Sequence, residues 1–195
     1  MSQHSKYLNK SLYIWIFANI LGFSALGLAQ LVFPSIMSVS GIFGSTLIIS
    51  IPISLAQWIA LRRIYPISIL WILSIPISIL LVILLIRELP DDLWQIFGNE
   101  TADLILFFLL IGLIIGLPQW LLLRRQYSNS SIWLLGSSIG VGAGSGLVLA
   151  TGLINQSGII SYIVAALVYA ISTGLTLSIL LANNNQLESS VVSAP

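Results

Sequence analysis

Two glutamines and a threonine are the side chains whose setting most needs a chemical explanation. Gln57 and Gln119 occupy the same phrase near the end of a long apolar run. The first copy is Ser50-x3-Ser54-x2-Gln57-Trp58-x2-Leu61-Arg62-Arg63; the second, 62 residues later, is Gly112-x3-Gly116-x2-Gln119-Trp120-x2-Leu123-Arg124-Arg125. A fainter third copy, Ala166-x3-Ala170-x2-Thr173-Gly174-x2-Leu177, has Thr-Gly in place of Gln-Trp and no Arg pair. An amide near hydrocarbon is costly without a partner, and any apolar residue would be cheaper there. Two uses follow. Gln57, Gln119 and Thr173 either converge on one axis and bind something polar, a headgroup or a small solute, or they hydrogen-bond between helices. Trp58 and Trp120 suit an interfacial belt. Arg62, Arg63, Arg124 and Arg125 suit the headgroup layer at a helix C-terminus, where cations complement the helix dipole. The same four cations could hold an anionic lipid or a phosphate-bearing ligand.

Other chemistry is largely excluded. The chain has no Cys and a single His, His4 in the N-terminal tail, so no thiolate or His-based metal site and no His acid–base pair is available. No ionisable residue falls in the middle of an apolar run, which removes the usual proton relay or coupling site of pumps. Asn19 is the other strongly polar side chain within such a run, and it reads as an interhelical hydrogen-bond donor. Catalysis, a cofactor and a metal are therefore not expected. Seven Lys and Arg scattered along the chain make no nucleic-acid surface.

The elements that carry these residues are membrane spans. Apolar residues make up 57% of the 195 residues and charged residues 7%, and mean hydropathy is +1.05. Soluble domains carry about 25% charged residues, so lipid must be the main solvent. Crossing the hydrocarbon takes roughly 20 apolar residues, and six segments qualify: 12–33, 41–61, 67–86, 102–123, 131–154 and 158–182. Lys6 and Lys10 precede the first, but its length exceeds a secretory h-region and it lacks an A-x-A site, so it reads as an uncleaved span. With six crossings, Lys6, Lys10, Arg62, Arg63, Arg124 and Arg125 share one side and Arg87 stands on the other. Cations mark the cytoplasmic side, so both termini are expected there. Glu88, Asp91, Asp92, Glu100 and Asp103 lie in or beside the long outer loop, where Asp91–Phe97 reads as a short interfacial helix. The polar residues 183–195 are expected to form a disordered tail.

The spans read as an all-α membrane domain of three parallel two-helix repeats, 11–63, 66–125 and 128–182. Trp15, Trp71 and Trp133 open the units, and each is followed seven residues later by a small residue, Gly22, Ser78 or Gly140. Each unit crosses twice, so all three face alike about an axis along the membrane normal. Small residues permit close helix approach in lipid: Gly112, Gly116, Ala166, Ala170 and Gly174, and above all Gly136, Gly140 and Gly144 in the fifth span. That span is expected to be the most enclosed, and the Ile- and Leu-rich third span the most lipid-facing. Pro52, Pro76 and Pro118 lie inside spans and free the carbonyls of Ile48, Ile72 and Ile114, which either opens a hinge or cavity or is absorbed by neighbouring helices.

With these motifs, the chain resembles a set of uncharacterised multi-pass inner-membrane proteins of cyanobacteria and some other bacteria, whose helices repeat G-x3-G-x2-Q-W-x2-L-R. It departs from them at Ser50 and Ser54 and in the third copy, which has lost Gln, Trp and Arg. The resemblance implies class and topology and a bacterial inner or thylakoid membrane, and brings no activity with it. The expected function is a non-catalytic membrane protein packing with lipid or a membrane-protein partner. The alternative is a small channel or facilitator for an uncharged or weakly polar solute, which would need a cavity lined by Ser, Thr, Gln and Asn.

Overall fold

The structure is a computed structural model that describes residues 3–32, 39–63, 67–90, 101–127, 129–153 and 158–192. Six α-helices account for most of them, and no strand occurs among the described residues: α1 Gln3–Val32, α2 Val39–Arg62, α3 Ser74–Glu88, α4 Thr101–Leu123, α5 Ile132–Ala150 and α6 Gly158–Val192. Each helix packs on its neighbours in the chain, and α6 closes on α1, so that the six form a ring. Four stretches, Ile69–Glu88, Ala102–Leu123, Ile132–Ala150 and Ile159–Asn183, are long and apolar enough to cross a membrane, and Ser11–Ala25 is a shorter apolar helix. The expected interfacial helix at 91–97 lies outside the described residues.

The distribution of polarity is the reverse of a soluble protein's. Tyr13, Phe17 and Leu21 on α1, Leu80 and Leu84 on α3, Leu106 and Leu110 on α4, and Leu175 and Ile179 on α6 are exposed. Asn19, Ser50, Ser54, Gln57, Ser74, Ser78, Gln119, Ser137 and Thr173 are fully buried or nearly so. Water would favour the opposite arrangement. An outer surface of Leu and Ile around a polar interior suits a hydrocarbon solvent.

Serine hydroxyls and missing side chains hold the ring together. Ser137 donates to the Gly112 carbonyl at 2.8 Å and Ser138 to that of Leu109 at 2.7 Å, joining α5 to α4. Ser172 donates to the Gly136 carbonyl at 2.7 Å, joining α6 to α5. A Cβ on Gly112 would meet the backbone of Ser137 and Ser138 at 2.7 Å, and one on Gly140 the Tyr169 Cα at 3.0 Å. The α5 glycines work in two directions: Gly136, Gly140 and Gly144 admit α6, and Gly142 and Gly146 admit α4. Among the four stretches long enough to cross a membrane α5 is the most enclosed, with 50% buried against 44% for α6 and 22% for each of the other two. Gly116 faces Ser137, and Ala166 and Ala170 are fully buried.

Three local expectations are corrected. The third span does not form one helix with Pro76 in its interior. A 3-10 turn, Ile69–Leu73, capped by Ser68, precedes α3, and Pro76 falls in the first turn of α3, where its missing N–H disturbs the helix least. Pro52 and Pro118 do lie inside helices. The last helix runs past 182 to Val192, because no Gly or Pro between Asn183 and Val192 stops it. Asn19 serves as an acceptor between helices, since its own amide donates to the Trp15 carbonyl at 2.9 Å within α1.

Candidate functional site

Trp15, Trp71 and Trp133 meet on the axis of the ring. Their ring centroids are 5.8, 5.8 and 6.5 Å apart and each pair is edge to face, at 71°, 74° and 78°. All three are fully buried. Three such contacts suit the indole quadrupole and add about 1 kcal/mol apiece to simple burial.

Each indole N–H then reaches one of the three residues singled out from the sequence. Trp71 donates to Gln57 Oε1 at 3.2 Å, Trp133 to Gln119 Oε1 at 3.0 Å and Trp15 to Thr173 Oγ1 at 3.0 Å. The first two pairs are fourteen residues apart and span one inter-helix turn; the third joins the two ends of the chain, 158 residues apart. The bonds therefore link each Trp to the preceding Gln or Thr helix: α2 with the 3-10 turn that leads into α3, α4 with α5, and α6 with α1. They run between the expected units 11–63, 66–125 and 128–182 rather than within them.

The layer is closed by further bonds among its own members. Gln119 Nε2 donates to Gln57 Oε1 at 3.3 Å, Gln57 Nε2 to Asn19 Oδ1 at 2.8 Å, and the Tyr169 hydroxyl to Gln119 Oε1 at 3.3 Å. Thr173 passes its own proton to the Tyr169 carbonyl at 2.7 Å. Both glutamine carbonyl oxygens accept two bonds, which saturates them. Gln57 and Gln119 do converge; Thr173 joins through Trp15 and the other indoles. Asn19 and Tyr169 supply the remaining polar groups of the layer.

Gly174 also sits where space is short. A Cβ at Gly174, the position matching Trp58 and Trp120, would meet Leu12 at 2.5 Å and Trp15 at 3.1 Å. Here α1 presses on α6 where the other copies place an outer indole. Each outer indole carries the first arginine of its pair: the Arg62 guanidinium lies 4.5 Å from the Trp58 ring centroid, and that of Arg124 5.1 Å from Trp120. Leu61 and Leu123, beside these arginines, belong to one buried cluster with the three axial Trp, so both Arg pairs are at the same end of the ring. Arg62, Arg63, Arg124 and Arg125 are exposed. The indole N–H of Trp58 is buried and has no hydrogen-bond partner among the described residues.

About one to two turns inside the Trp layer the axis widens into a cavity of about 210 Å³. Every helix contributes to its wall, including Phe23, Ile53, Ile79, Ile115, Val141 and Tyr169. Almost none of that wall is polar, so it offers water too few partners to be held. Among the described residues no group of three or more His, Asp or Glu could hold a metal ion.

Sequence reasoning found the Gln, Thr and Asn members of this layer but gave the axial Trp no role beyond marking repeats. The signal was there in the equal fourteen-residue interval from Gln57 to Trp71 and from Gln119 to Trp133. Tyr169, one turn before Thr173 on the same helix face, was also recoverable. No protein-family model, curated protein or solved structure matches the chain.

Proposed function

We propose that the chain is a six-span integral membrane protein without catalytic activity, whose role is to pack with lipid and with a membrane-protein partner. The observation that carries this reading is the Trp–Gln–Thr layer, which closes the ring axis with groups that satisfy one another. In this reading the helices are three like-facing pairs, parallel repeats about the membrane normal, with both Arg pairs and both termini on the cytoplasmic side. The membrane is a bacterial inner or thylakoid membrane, in keeping with the family resemblance.

A facilitator is disfavoured by two observations. Its conduit would need polar walls along the axis, whereas the cavity wall is apolar and the polar groups are spent on one another. Reconstitution of the purified chain into liposomes tests the choice. Stopped-flow light scattering with glycerol and urea is expected to give the permeability of protein-free liposomes. A protein-dependent, saturable flux would overturn the packing role in favour of a facilitator.

A further inference from the structure

We infer that the axial cavity is a binding site for a hydrocarbon segment of about eight carbon atoms, since an apolar cavity of 150 Å³ takes benzene and this one is larger. The inference rests on the membrane-spanning reading for its source of ligand, but not for the chemistry of the wall. All six helices contribute to that wall, which is mostly Ile, Val, Ala and aromatic rings; Ser145 and Tyr162 also line it but add almost no polar surface. The hydroxyl of Tyr169 is already given to Gln119. The occupant therefore needs no donor, acceptor or charge, and a polar solute entering would lose its hydration without replacement. A hydrocarbon segment restores the dispersion contacts that the wall otherwise lacks.

Position supplies a reporter. Ile75, one turn beyond Trp71, and Ile53 and Ile115, one turn before Gln57 and Gln119, all line the cavity. The occupant thus lies about one helical turn, roughly 5 Å, from the indole layer. Two sources share the required chemistry, the end of a lipid chain and a free small hydrophobic molecule.

The test uses the full chain carrying Trp58→Phe, Trp94→Phe and Trp120→Phe, so that emission comes from Trp15, Trp71 and Trp133. It is reconstituted in nanodiscs of dimyristoylphosphatidylcholine. One arm titrates bromohexane, whose bromine quenches a nearby indole at short range; the other replaces the lipid with phosphatidylcholine brominated along its chains. Saturable quenching in either arm is expected, weakened by about tenfold in Ile79→Phe/Ile115→Phe, which fills the cavity, and unchanged in Ile77→Phe, whose side chain is 45% exposed on the outer face. Bromohexane quenching assigns the site to free hydrophobic molecules, and quenching by brominated lipid assigns it to lipid chains. If the filled variant does not fold, Val141→Ile is expected to weaken binding about fourfold for its one added methylene. Ile115→Ala is then expected to favour bromooctane over bromohexane. Quenching that rises linearly and equally in all variants, or is absent, overturns the inference. A failure of the membrane reading is distinguishable: the chain would not assemble into discs, while bromohexane in detergent micelles would still report the cavity.

Discussion

Gln57 Oε1 accepts from both Trp71 and Gln119, and its amide nitrogen donates to Asn19. Replacing it with Leu leaves three polar groups without this partner. Gln119→Leu leaves Trp133 and Tyr169 without this partner and removes one of the two donors to Gln57 Oε1, which keeps Trp71; Thr173→Val strips a partner from Trp15 alone. A buried donor left unpaired costs about 1 kcal/mol in a membrane protein, where the unfolded reference also finds partners. The expected order of destabilisation is therefore Gln57→Leu, then Gln119→Leu, then Thr173→Val, falling from about 3 to about 1 kcal/mol. Unfolding in mixed micelles, titrated with dodecyl sulfate and followed by Trp emission, measures it. An equal loss in all three variants would mean that the network is not the stabilising unit. The glutamines could be picked out from sequence because they are misplaced in an apolar run. Their partners could not, because which indole an amide meets depends on how neighbouring helices are rotated.

At the scale of helices, what a glycine faces decides what its replacement costs. Added Cβ atoms at Gly112 and Gly142 would come comparably close to a neighbour, 2.7 and 2.5 Å. Gly112 faces the Ser137 and Ser138 backbone, whereas Gly142 faces the flexible end of Leu109. Gly112→Ala must push α4 and α5 apart and is expected to cost about 2 kcal/mol, while at Gly142→Ala the leucine turns aside and the loss is less than half of that. The same micelle titration compares them. Gly152 is a different case. It follows α5 at φ 66°, with nothing within 4 Å of an added Cβ, and its N–H closes the helix on the Leu149 carbonyl at 3.1 Å. Gly152→Ala is expected to cost about 1 kcal/mol through backbone conformation with no steric contribution. Gly152→Asn should recover part of this, because Asn tolerates the left-handed region better. The small-residue spacing that marked α5 as enclosed was legible in sequence; which glycine met backbone and which met side chain was not.

For the whole molecule, the proposed three-pair topology makes a prediction about sidedness. The chain has no Cys, so single cysteines report cleanly. Arg63→Cys and Gln126→Cys are expected to react with an impermeant maleimide from one side of sealed vesicles, and Glu88→Cys from the other. Labelling of the two Arg turns from opposite sides would rule out like-facing pairs. The ring closure also carries a prediction. The Trp15–Thr173 bond joins the first and last helices, and Trp15 packs on both other axial indoles. Trp15→Ala should destabilise by about 4 kcal/mol, toward the upper range for truncation of a buried aromatic residue, and should admit bromohexane deeper, seen as stronger quenching of Trp71 and Trp133.

By itself the sequence determined that lipid is the main solvent, because too few charges remain to cover a surface, and that helices must carry the chain, because an apolar run in lipid has to satisfy its own backbone. It also marked Gln57, Gln119 and Thr173 as equivalent, through a spacing that survives substitution. The tertiary structure decided what those residues do. Rotation of each helix about its axis, set by glycine contacts such as Gly112 on Ser138 and Gly140 on Tyr169, turns the three indoles inward and spends the amides on them. Residual space on the axis is likewise a property of six packed surfaces together, and a linear pattern of apolar residues does not distinguish a filled axis from a hollow one.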